Sequence, residues 1–261
     1  PFIPASSTKT IYVYYGNPSA TSASDISTTF IPNQIFLVTG RCTDGTYCYY
    51  TDNHAEFDYI RARIGISPFT VDGSGYVSSV NHGSNPYGSS DYYYSRYRFL
   101  YLPPTSGTYY FGTNSDDASE VTFLPGDGYN AGGNGLQTPS PHPYGEHDVV
   151  AYWYGGHGTG TCGSSGTIGS RTLVAGQAIW IDYMQEEWGG GQLAQMCINI
   201  PGVGWVVVDA ANANFNNRIF TRKYSSPEPK TSISSSENLF FYLQSTGSPS
   251  SSLGNQFTSL I

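Results

Sequence analysis

Asp116 and Asp117 stand side by side in a chain in which only 11% of residues are charged. Two adjacent carboxylates repel each other unless a cation or a cluster of donors neutralises them, which makes the pair a candidate site for a hard cation. The alternative is that both cap a turn and accept backbone N–H groups. Calcium takes six or more oxygens, so further donors are required, and Glu186, Glu187 or backbone carbonyls are the candidates. Trp188 follows them beside a GGG run, where an indole can stack on a ligand. His157, in the loop GGHGTGTCGSSG, completes the ligand-binding candidates.

Other chemistries find less support. His54, His82, His142, His147 and His157 show no H-E-x-x-H, H-x-H or Cys/His metal spacing. No G-x-S-x-G elbow is present, and the glycine-rich loop around His157 lacks the Lys-Ser/Thr ending of a phosphate loop. Glu186 and Glu187 are adjacent, whereas glycoside hydrolysis needs two carboxylates about 5–10 Å apart across a cleft. The expectation is a non-enzymatic protein.

The pair must be positioned by strands. An apolar run from Arg98 to Leu102 meets Pro103-Pro104 and a Ser106-Gly107 turn, and a second run from Thr108 to Gly112 leads to the aspartates. Similar runs recur between Gly, Pro, Asn and Ser turns, at 10–15, 35–40, 120–124, 149–154, 178–184, 193–200 and 205–209. Helical periodicity is nearly absent. Short strands at this spacing predict an all-β, antiparallel sandwich. Residues 126–135 and 155–166 read as long glycine-rich loops, where binding sites concentrate.

The composition narrows the partners. The formal charge is −8 with no basic run, which argues against nucleic acid. Tyrosine, at 23 residues, suits surfaces that pack on other surfaces. An anionic surface agrees with divalent cations, neutral glycans or like subunits. No apolar run is long enough to span a bilayer, and a chain that opens PFIPASSTK is expected to be a processed or partial mature protein. Cys42, Cys48, Cys162 and Cys197 allow three pairings. Cys42 and Cys48 flank the turn signal TDGTY, which suits a short hairpin bridge and would leave Cys162 and Cys197 for the second. Four buried thiols are the alternative.

Residues 98–200 carry a series of signatures in order. They are an arginine-led strand into PPTSGTY, the SDD pair at 115–117, VVAYWYGGHG at 149–158 and LVAGQAIWIDYMQEEWGGGQLAQM at 173–196. In these the chain resembles the protective-antigen/flocculin family of lectin-like β-sandwiches. The resemblance implies that Asp116 and Asp117, joined by a cis peptide, ligate calcium, which in turn binds sugar hydroxyls. Ala118 stands where the family has glycine, and TFLPGDG replaces its apolar-Ile-Asp-Gly segment. Separately, residues 1–30, PFIPASSTKTIYVYYGNPSATSASDISTTF, resemble the C-terminal strand segment of an uncharacterised bacterial and archaeal surface-domain family.

The expected organisation is an N-terminal strand extension (1–32), a lectin-like sandwich (33–224) and a Ser/Pro-rich tail (225–261). Ile11, Tyr12, Val13, Tyr14 and Tyr15 form a strand with apolar groups on both faces, and Leu239, Phe240 and Phe241 form an apolar island in the tail. Such segments add to a sheet of their own subunit or of a neighbour. The leading expectation is therefore an extracellular structural subunit that self-assembles into a filament, tube or surface layer through its termini. The alternative is a calcium-dependent carbohydrate-binding adhesin module.

Overall fold

The structure is a computed structural model, and residues 30–43, 51–61, 63–123 and 148–222 are described. The N-terminal strand at 11–15, the tail with residues 239–241, the loop at 126–135 and Cys48 lie outside the described residues.

Among the described residues, thirteen strands build two antiparallel sheets. They are β1 (Phe30–Pro32), β2 (Ile35–Cys42), β3 (Phe69–Val77), β4 (Asn81–His82), β5 (Tyr93–Tyr101), β6 (Gly107–Asp116), β7 (Ser119–Phe123), β8 (Asp148–Trp153), β9 (Gly169–Leu173), β10 (Ile179–Glu187), β11 (Leu193–Ile200), β12 (Gly204–Val207) and β13 (Ile219–Arg222). The first sheet runs β1-β13-β5-β10-β7-β8, with β2 joining β5 and β3. The second runs β12-β11-β6-β9, with β4 on β11. This is the expected antiparallel β-sandwich.

Alternation puts one face of each sheet into a shared core. Tyr97, Phe99, Val121, Phe123, Ile179, Ile181 and Tyr183 from the first sheet meet Tyr109, Phe111, Met196, Ile198 and Ile200 from the second. All are at most 1% exposed, and each such aliphatic or Phe side chain contributes about 1.5–3 kcal/mol on burial.

Besides the short strands β1, β4, β9 and β13, two parts of this architecture lie outside the runs read from the sequence. β3 reads FTVDGSGYV, a broken pattern, because Gly73 and Gly75 lie under the Tyr87 ring. The other is a helix, α1 (His54–Arg61), of eight residues. It starts where Asn53 Oδ1 accepts from Glu56 N–H and Glu56 reaches back to Asp52 N–H. Phe57 and Ile60 turn one face of α1 onto the outer side of the first sheet, against Phe69, Tyr94 and Met184.

Beneath α1 lies a buried ionic layer. Arg61 pairs with Asp58 (2.6 Å), Glu120 (2.6 Å) and Asp182 (3.6 Å), while Arg96 also holds Asp182. Burial alone would raise the Asp182 pKa, but Arg96 and Arg61 outweigh it and hold the carboxyl down at about 2. His54 contacts Glu120 through Nδ1 (2.6 Å) and Asp58 through Nε2 (3.0 Å). Burial opposes its charge, yet Glu120 and Asp58 win and raise its pKa, with Arg61 opposing them. A histidine pKa raised by folding contributes stability that is complete below about pH 6.5 and is lost as pH rises through the folded value. The stability difference between wild type and His54→Gln is therefore expected to be largest near pH 6 and to shrink as pH rises. Urea denaturation at pH 6, 7.5 and 9 measures it, and a flat difference would show that His54 is not charged in the folded protein.

Candidate functional site

Three connections cross from one sheet to the other at the same end of the sandwich. β6 passes to β7 through Asp117 and Ala118, β10 to β11 through residues 188–192, and β8 to β9 through residues 154–168. Register fixes their neighbourhood: Asp116 pairs with Leu193, and Gln185 with Ser119. Asp117 N–H donates to the Glu186 carbonyl, and Glu186 N–H to the Ala118 carbonyl. The aspartate pair and the end of β10 are thereby locked side by side.

The peptide between Asp116 and Asp117 is cis. Asp117 is 6% exposed, and its two carboxylate oxygens accept from His157 N–H and Trp188 N–H, both at 3.0 Å. One carboxylate thus clamps the two longer crossovers together. Asp116 is half-buried at the rim. The backbone of Gly191 passes so close to its carboxylate that a Cβ there would collide with Oδ2.

Glu187 supplies the third carboxylate. Oxygens of Asp116, Asp117 and Glu187 lie within 4.8 Å of one another. Glu187 is fully buried, and neither of its carboxylate oxygens accepts a hydrogen bond from a described residue. Desolvation first, then the charges of Asp117 and Asp116, push its pKa up to about 9, with the nearby Gly189 N–H opposing. Burial and Asp117 likewise raise Asp116. A buried carboxylate that accepts no hydrogen bond from a described side chain and is aimed at two others is a costly arrangement for a folded chain on its own. A hard cation removes the cost, because its charge reverses the local pKa logic and its coordination sphere takes the orphaned oxygens. The three side chains fit calcium.

Glu186 faces the other way, as alternation along β10 requires. It is fully buried, with Oε2 accepting from Thr51 Oγ1 (2.9 Å) and Trp188 Nε1 (2.8 Å). Desolvation pushes its pKa up to about 8 against those two donors. Trp188 is half-buried, its ring lying over Gly156, so indole and glutamate together brace the loop. His157 stacks on Trp153 at 3.6 Å and meets the site through its backbone. Gly155 N–H donates to the Thr51 carbonyl, joining this loop to the segment that leads into α1.

The cysteines pin the same loop. Cys162 and Cys197 form a disulfide, tying the β8–β9 crossover to β11. Cys42 is buried, and its relation to Cys48 lies outside the described residues.

A second cluster, His54, Asp58 and Glu120, also brings ligand-type atoms within 4.8 Å. There each ring nitrogen already faces a carboxylate and Arg61 stands between the acids. It is the ionic layer under α1, with its cations built in. Nothing in the sequence marks it, since the helix members lie 59 to 121 positions from their strand partners and only a turn from one another.

A family model described as a domain of unknown function (DUF2341) matches residues 1–36. No curated protein matches the chain. Among solved structures, the PA14 domain of the MpAFP antifreeze protein is 16% identical with a TM-score of 0.47, covering 74% of this chain and 94% of that one. The PA14 sugar-binding domain from an RTX adhesin is 15% identical, TM-score 0.44, covering 68% and 95%. The A domain of epithelial adhesin 9 from Candida glabrata, in complex with Galβ1-3GlcNAc, is 13% identical, TM-score 0.43, covering 72% and 89%.

Proposed function

We propose that the sandwich is a non-enzymatic, extracellular binding module that takes carbohydrate through calcium held by Asp116, Asp117 and Glu187. The observation that carries this reading is the fully buried Glu187 carboxylate, which accepts no hydrogen bond from a described side chain and faces the aspartate pair. Calcium, when bound, supplies a hard acid at the rim of the crossovers. Three carboxylates do not complete its six to eight oxygens, and the half-buried Asp116 marks the side from which outside oxygens arrive. Paired sugar hydroxyls are suited to that position. The chain's own residues hold the arrangement still: Asp117 fastens the loops, and Glu186, Trp188 and the disulfide brace them.

The resemblance of residues 98–200 to lectin-like sandwiches supports the same reading. Self-assembly through the termini depends on residues 11–15 and 239–241, which are not among the described residues, and the site does not favour it. Among the described residues no helix is long and apolar enough to cross a membrane.

Glycan-array retention in 2 mM calcium, read against the same array in EDTA (about 2 mM, on the order of extracellular calcium-module affinities), tests the proposal. Retention in calcium that disappears in EDTA is expected. Equal retention in both, or none in either, would contradict it.

A further inference from the structure

On the second sheet the residues alternating with the core face outward. On β6 these include Gly112, Asn114 and Asp116; on β11, Gln195 and Cys197; and on β12, Trp205 and Val207. The β8–β9 crossover folds down onto this face. It is held there by the Cys162–Cys197 bond and by Gly160 N–H donating to Asn114 Oδ1 at 2.7 Å. Gly163, at positive φ, lies flat against Trp205, where any Cβ would overlap the indole.

Between the loop and the sheet is an open cleft of about 300 Å³, at the small end of ligand pockets. Asn114, Thr161, Gln195, Trp205 and the disulfide define it, and among the described residues no charged side chain lines it. Its amides are set in orientation before any ligand arrives: Asn114 Nδ2 donates to Gln195 Oε1 at 3.1 Å, and Gln195 Nε2 to Asn81 Oδ1 at 2.9 Å. Fixed amides that present both donors and acceptors, beside an indole, are the chemistry for a neutral, hydroxyl-rich ring with apolar C–H groups. Asn114 and Asp116 lie on one face of one strand, two residues apart, which is about 7 Å.

We infer that this cleft is a second sugar subsite, contiguous with the cation site, so that the ligand is a neutral oligosaccharide of at least two units. The inference rests on the reading under Proposed function for its first unit, and the cleft takes the next one. Specificity for chain length then comes from Trp205, Asn114 and Gln195, whereas calcium dependence comes from the carboxylates.

The test is an array of neutral mono-, di- and trisaccharides in calcium, probed with wild type, Trp205→Ala and Gln195→Met. Calcium affinity and melting temperature are measured alongside. Gln195→Met keeps the side-chain volume, so it remains informative if Trp205→Ala does not fold. Wild type is expected to bind its preferred disaccharide at least about tenfold (about 1.4 kcal/mol) tighter than the terminal monosaccharide. Both variants should lose that preference while keeping calcium affinity and monosaccharide binding. Calcium-dependent monosaccharide binding without any chain-length preference in wild type, or a preference unchanged in both variants, would overturn the subsite alone. Absence of calcium-dependent retention by wild type would overturn the underlying reading with it.

Discussion

Replacing Arg61 with methionine is expected to destabilise the protein by about 3–5 kcal/mol, the range for breaking a buried ion pair from one side. In an ordered unit of this size that lowers the melting temperature by roughly 6–20 °C. Arg61 is 6% exposed and faces Asp58, Glu120 and Asp182, all fully buried. Methionine fills comparable space but leaves the acids, among the described residues, with His54, Arg96 and the partly exposed Arg98 as the cations that balance them. Charge, rather than packing, dominates the loss. Adding Glu120→Gln to Arg61→Met should therefore recover part of the stability, a non-additivity that urea denaturation of the single and double variants reads directly. A cost below about 1 kcal/mol for Arg61→Met would contradict the layer's assigned role. The same substitution should loosen the site, since the segment entering α1 carries Thr51, which holds both Glu186 and the Gly155 amide.

The carboxylate triad makes a prediction whose sign reverses with calcium. Without calcium, Glu187→Gln is expected to stabilise the protein at neutral pH by roughly 1–3 kcal/mol, because a carboxyl whose pKa folding raises to about 9 must take up a proton to fold, a cost the amide does not carry. The new amide can also donate to Asp116 or Asp117. With calcium at about a hundred times its Kd, wild type gains about 2.7 kcal/mol by mass action, or roughly 5–11 °C in melting temperature. Glu187→Gln and Asp117→Asn should lose most of this gain. Asp117→Asn should also be destabilised without calcium, since Asp117 fastens two crossovers through His157 and Trp188 N–H groups. Thermal melts of the three proteins with and without calcium separate these effects. If Glu187→Gln were destabilising in both conditions, the carboxylate would be an ordinary structural group.

The sandwich itself was legible from short alternating runs and turn residues, because its core depends on the period-2 pattern of strands such as β10 and β11. The aspartate pair was legible for a different reason: adjacency in sequence is adjacency in space. Glu186 and Glu187 mark the limit of that logic. Both are visible, but they face opposite sides of β10, and only the register of β10 with β5 and β7, and of β11 with β6, tells which of them meets the aspartates. Helix α1 escaped because eight residues with two inward apolar groups carry little periodic signal. The amide row of Asn114, Gln195 and Asn81 was likewise hidden. It exists across three strands joined by ladder register, with up to 114 residues between partners.

Calcium titration of the intact protein by isothermal calorimetry, beside Glu187→Gln, tests the central claim most directly. Wild type is predicted to bind one calcium per chain with a Kd on the order of 10⁻⁴ M or tighter, and Glu187→Gln to bind at least about tenfold more weakly, equivalent to 1.4 kcal/mol. Indistinguishable titrations of the two proteins, or no binding by wild type at millimolar calcium, would contradict the assignment of Asp116, Asp117 and Glu187 as a cation site.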